Sequence, residues 1–124
     1  MGYESRLNIV RVNKYEDFTF CERIAVFDLC GTDMIGIKMK EYPEFPYAIY
    51  PLTGEGGNII EQDCYGKKLT EVPVSDAIDI VRADLRRDIE KYGYKDVYWR
   101  LKPCLALLEA FEGIEDIVVL HYGY

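Results

Sequence analysis

Apolar positions follow a strand-like pattern through the first half of the chain and step by three and four in the second. From Tyr3 to Val12, the residues Leu7, Ile9, Val10 and Val12 predict a strand. The longer run from Phe18 to Leu29, including Ile24, Ala25, Val26, Phe27 and Leu29, predicts a buried central strand, and Gly31-Thr32-Asp33 supplies turn chemistry behind it. Met34 to Lys40 carries no clear period, and Pro43 and Pro46 break the stretch leading to Tyr47. Tyr47 to Leu52 and Asn58 to Asp63 then predict a hairpin closed by Thr53-Gly54-Glu55-Gly56-Gly57. Tyr65 to Leu69 predicts a turn into a short strand ending at Pro73.

The period changes at Ser75, a good N-cap, with Asp76 and Asp79 where a helix dipole favours negative charge. Ile78, Val81, Leu85, Ile89 and Tyr92 form one apolar helix face, and Gly93 is a natural stop. A second helix is expected from about Pro103 to Glu112, with Cys104 or Leu105, Leu108 and Phe111 on its apolar face and Gly113 ending it. Ile117 to Leu120 predicts a last strand, followed by His121-Tyr122-Gly123-Tyr124. These elements make one α+β domain over residues 1–124: a mostly antiparallel sheet, two helices in the C-terminal half, and a final strand returning to the sheet.

Composition narrows the function classes. At 124 residues, 49% apolar and 30% charged, the chain suits one soluble core and excludes a disordered tail, a collagen-like repeat or a two-domain enzyme with its own cofactor domain. The net charge of −7 disfavours direct binding to a phosphate backbone, and the acid is spread evenly, −3 up to Thr70 and −4 after it. A solvated surface is the ordinary reading of that charge, and a surface that mimics DNA in a basic groove is the sharper one. Eleven tyrosines are unusually many, and they read either as strand residues packing a half-buried sheet or as an aromatic binding surface. No run of 18 apolar residues or secretory signal is visible, and Arg6 stands where a myristoylation signal starting at Met1-Gly2 requires Ser or Thr. The expected location is cytoplasmic, with Cys21, Cys30, Cys64 and Cys104 as buried free thiols, no metal site and no cofactor.

One motif carries chemistry. Ile24-Ala25-Val26-Phe27-Asp28-Leu29-Cys30-Gly31-Thr32 resembles the first motif of the haloacid-dehalogenase-like phosphatases. The resemblance implies an aspartate nucleophile at Asp28 and a parallel sheet with helices between its strands. Cys30 stands where that family places its general acid, and a thiol does that work poorly. Thr53, Lys91 and Lys102 are candidates for the later motifs, whereas Glu115-Asp116 precedes its strand instead of following it. These departures weigh against catalysis and leave Asp28 as a strand-end or turn residue. His121, the single histidine, reads as a strand-end residue bonded to backbone, with a Cys–His pair as the alternative. Neither Ser5 nor Ser75 lies in a nucleophile elbow, and the glycine-rich loop at Gly54 lacks the Lys-Ser/Thr ending of a phosphate loop.

A second similarity spans both ends of the chain. Gly2-Tyr3-Glu4-Ser5-Arg6-Leu7, Phe27-Asp28-Leu29-Cys30, Asp63-Cys64-Tyr65-Gly66 and Val118 to Tyr124 resemble small proteins encoded in phages and prophages of Gram-positive bacteria. That resemblance transfers no active site. It implies a phage accessory protein, a class with many inhibitors of host defence. The expected function is therefore a small acidic interaction protein binding a host or phage protein, for example a CRISPR effector, with self-association a further mode. Its expected contact surface is Tyr42, Tyr47, Tyr65, Tyr92, Tyr94, Tyr98 and Trp99, with Glu41, Glu44, Glu55 and Glu61 as acidic partners. The alternative is a binder of a nucleotide signal using stacked rings and Arg6, Arg11, Arg82 and Arg100.

Overall fold

A computed structural model describes residues 5–29, 45–48, 51–53, 58–93 and 99–124. Among them, β1 (Ser5–Lys14), β2 (Thr19–Leu29), β3 (Leu52–Thr53), β4 (Ile59–Ile60), β5 (Thr70–Pro73) and β6 (Ile117–Gly123) form one sheet in the order β4-β3-β2-β1-β6-β5. The helices α1 (Val74–Tyr92) and α2 (Leu101–Ala110) lie in the C-terminal half, and β6 returns to the sheet, so the chain is α+β as expected. Four of the five pairings are antiparallel, and β2 with β3 is parallel.

β1, between β2 and β6, and β6, between β1 and β5, are both apolar on two faces. Leu7, Ile9, Val72, Ile117 and Val119 pack under the helices with Ala77, Ile78, Val81, Leu101, Cys104 and Leu108. Val10, Val12, Cys21, Leu52, Leu69 and Leu120 form a second cluster on the opposite face. β2, third of the six strands, is central as its apolar run predicts but is not buried on both faces. It is buried on one face at a time, leaving Phe20, Ile24 and Val26 exposed.

A β-bulge explains the pattern of β2. Ile9 pairs with Ala25 but Val10 pairs with Arg23, so Ile24 is an extra residue. Between Ala25 and Leu29 the odd residues face the helices; after the bulge Arg23, Cys21 and Thr19 share the other face with Val10, Val12 and Lys14.

Several boundaries differ from the sequence reading. Ser75 is not the cap of α1. The helix starts at Val74 directly after β5, with Pro73, preset at φ −58°, as the capping residue and Asp76 in the first turn; Asp79 lies beyond it. Tyr92 is exposed, because the last turn of α1 runs past the core, and Gly93 at φ 84° ends the helix as expected. α2 begins at Leu101, which places Pro103 third, still among the positions that need no intrahelical N–H bond. The predicted hairpin of residues 47–63 shrinks to the two-residue strands β3 and β4. Pro46 to Ala48 run along β5 instead: Tyr47 bridges Thr70, the Ala48 N–H donates to Leu69 O, and the Glu71 N–H donates to Pro46 O.

The central pairing sets an expected outcome. Leu7→Ala removes a fully buried side chain between both neighbours of β1 and should cost about 2–5 kcal/mol in urea unfolding, whereas Ile59→Ala on exposed β4 should stay within about 0.5 kcal/mol.

Candidate functional site

The short motifs at residues 5–7, 27–29, 63–66 and 118–124 meet at one end of the sheet. Arg6 Nε donates to Asp28 Oδ1 at 2.6 Å, and the guanidinium lies over the rings of Tyr122 and Tyr124 at 5.3 and 4.8 Å. The bond to Asp28 raises the Arg6 pKa above its already high ordinary value, so this guanidinium stays charged. On the helix side, buried His121 is hydrogen-bonded through Nε2 to Ser5 Oγ at 3.0 Å. The Cys64 N–H donates to Gly123 O at 3.1 Å, while Asp63 Oδ1 accepts from the N–H groups of Tyr65 and Lys67 and shapes the turn. These groups satisfy one another, which makes the cluster a clamp on the chain ends.

That geometry places the catalytic candidates. Asp28 is the penultimate residue of β2, half-buried, with its carboxylate engaged by Arg6. β2 runs antiparallel to β1, and the register of Cys21 with Leu52 sets Thr53 beside Glu22, roughly 20 Å along the strand from Asp28. Lys91 sits at the end of α1 with Nζ over Tyr92, and Lys102 is the second residue of α2. His121 bonds a serine side chain, Cys21 and Cys104 are buried elsewhere in the core, and Cys30 lies outside the described residues. Among the described residues no group of three His, Cys, Asp or Glu is placed to hold a metal, and no helix is long and apolar enough to cross a membrane.

The expected contact residues are only partly brought together. Tyr47 and Glu61 line one cleft of about 390 Å³ with Ala48, Pro51, Ile60 and Lys68. Tyr65 is exposed at the Asp63 turn, Tyr92 at the end of α1, and Trp99, 68% exposed, precedes α2 with the Arg100 guanidinium 5.1 Å from its ring. Tyr42, Tyr94, Tyr98, Glu41, Glu44 and Glu55 lie outside the described residues. Of the arginines, Arg82 is held by Asp79 and Glu109, and Arg11 is exposed opposite Glu22. Arg100 Nη1 donates to the Asp28 carbonyl at 2.9 Å, which brings it to the same residue as Arg6. A larger cleft of about 610 Å³ on the open face mixes charges, with Lys14, Glu71 and Asp116 around Val12 and Val118.

One exposed aromatic cluster is a feature that sequence reasoning missed. At the β1–β2 turn, closed by the Tyr15 N–H donating to Phe18 O, the rings of Tyr15, Phe18 and Phe20 stack on one another. Centroid distances are 5.0 Å for Tyr15–Phe18, 5.8 Å for Tyr15–Phe20 and 6.0 Å for Phe18–Phe20. The rings remain 57%, 59% and 37% exposed, and Glu16 and Asp17 stand between them in the chain. By alternation all three rings project from the helix side of the sheet, beyond the core cluster that the helices cover. The signal was present as three aromatics within six positions around an acidic pair, but phase through the bulge is what puts Phe20 on the same side. No protein-family model, curated protein or solved structure matches the chain.

The cysteines correct one expectation and yield a test. Cys64 is exposed, because the Asp63 turn holds residue 64 at an outer corner, while Cys21 and Cys104 are buried. Burial pushes both buried thiols from 9.0 up to about 12, with Glu71 adding to the effect on Cys21. In a Cys30→Ala background, a thiol reagent should modify Cys64 at once and the other two only on unfolding. Because the folded pKa values are raised, this contribution to stability is intact below pH 9 and is lost as pH climbs toward about 12, a decline that Cys104→Ala should flatten.

Proposed function

We propose that this chain is a small acidic, non-catalytic interaction protein acting in the cytoplasm, and that the stacked rings of Tyr15, Phe18 and Phe20 are its contact surface. The observation that carries the reading is three large rings stacked on one another and held exposed at a single strand turn. Rigid aromatic side chains lose little conformational freedom on contact and dominate interface energetics. The resemblance to phage and prophage proteins of Gram-positive bacteria supports an anti-defence role. A nucleic-acid-handling defence enzyme such as a CRISPR effector, with a basic groove, is the host macromolecule that net charge −7 fits.

The test is a tagged capture from a nuclease-treated lysate of a Gram-positive host, using the native chain beside Tyr15→Ser/Phe18→Ser. One stoichiometric protein should be retained by the native chain and lost by the variant, whose melting temperature should shift by no more than a few degrees. Equal retention by both would remove the rings from the interface.

One observation favours a second reading, capture of a small nucleotide. Arg6 and Arg100 converge on Asp28 beside the rings of Trp99, Tyr122 and Tyr124, which pairs cations with stacking surfaces. A bound nucleotide should raise the melting temperature by mass action and lose that effect in Arg100→Ala; an interaction protein alone should show no shift.

A further inference from the structure

Resting on the reading of the hairpin end as a contact surface, we propose that its ring stack receives an arginine-bearing segment of the partner protein. Guanidinium groups lie on the faces of Tyr15, Phe18 and Phe20, with their charge met by Glu16 and Asp17. Three features specify this occupant. The rings are close to parallel, with interplanar angles of 25°, 7° and 20°, so the stack presents the electron-rich faces that attract a cation. Among the described residues no cation of the chain itself occupies them, although this chain places guanidinium groups on Tyr122, Tyr124 and Trp99 elsewhere.

The charge of this end points the same way. From Lys14 to Glu22 the hairpin carries one cation against Glu16, Asp17 and Glu22, and that cation already faces Asp116 at 3.9 Å. Among the described residues Glu16, Asp17 and Glu22 are held in no ion pair. Exposed rings would also stack on nucleobases, but three carboxylates repel the phosphates that accompany them. Arginine fits better than lysine because its planar, weakly hydrated guanidinium stacks on a ring face while its N–H groups reach a carboxylate.

The experiment titrates the full-length chain, followed by amide NMR shifts, with a Gly-Arg repeat peptide, a Gly-Lys peptide of equal length, and a single-stranded oligonucleotide. The Gly-Arg peptide should bind saturably, with shifts centred on residues 14–22, and the Gly-Lys peptide about tenfold more weakly. Tyr15→Ala/Phe18→Ala should weaken the Gly-Arg complex about tenfold, and Glu16→Gln/Asp17→Asn should weaken it and flatten its salt dependence. Circular dichroism melting checks that each variant stays folded. Equal affinity for both peptides, or an unaffected ring variant, would reduce the site to a plain acidic surface and overturn the proposal. Binding of the oligonucleotide but not the peptide would reassign the rings to bases, and self-association reversed by the ring substitutions would make the occupant a second copy; either outcome overturns it too. Ring-dependent capture of a protein from lysate without arginine-peptide binding would sink this inference and leave the contact surface standing, whereas loss of both would remove both.

Discussion

The extra residue at Ile24 decides which side of β2 each later residue takes. With unbroken pairing from Ile9 and Ala25, Phe20 would fall opposite Lys14 on the face of Val10 and Val12, and Cys21 would point toward the helix side. The bulge reverses both. Cys21 enters the second core with Leu52 and Leu120, and Phe20 joins Tyr15 and Phe18. A single insertion thus completes one core and assembles the exposed ring stack. Without that change of phase Phe18 and Phe20 would face away from Tyr15, and the three rings would not share one surface.

The clamp at the far end of the sheet gives the stack a rigid base. Ser5 bonds His121 and Arg6 bonds Asp28, while Asn8 Nδ2 donates to Leu120 O, so the first strand is locked to the second and last along its N-terminal half. These contacts join residues far apart in sequence, which couples the β1–β2 hairpin to the fold of the whole chain. On the proposed reading, a hairpin held this way would bring its rings to a partner with little ordering left to do, and preorganisation of that kind raises affinity without adding area.

How much of the fold the sequence discloses depends on how local each signal is. The strands at Ser5 and Ile117, the α1 face at Ile78 and Val81, and the helix stop at Gly93 rest on period or on one residue's backbone preference, and all appear. The predicted hairpin of residues 47–63 survives only as the short β3–β4 pair, because residues 46–48 make a long-range contact and bond to residues 69–71. Ser75 failed as a cap because β5 keeps pairing with β6 up to Pro73, which leaves the helix to start at once. Sequence reading looks for a contact surface where tyrosines are dense, and the stack proposed here combines one tyrosine with two phenylalanines across a turn. Their joint exposure depends on strand phase and on how far the helix layer reaches, and composition encodes neither.

Among the described residues, the distribution of chemistry is consistent with the proposed recognition role. A nucleophile or general base must be reachable and must change its charge during the reaction. Here the single histidine is buried against Ser5, and the aspartate of the phosphatase-like motif is engaged by a guanidinium that its own bond keeps charged. Two thiols are held protonated by burial. The reactive side chains in these places serve as structural members. The stacked side chains left at the surface are aromatic, at a turn whose acids are held in no ion pair among the described residues. Such an array changes no bond. On the proposal made above, it would gain its free energy when a cationic, planar group from another molecule covers it.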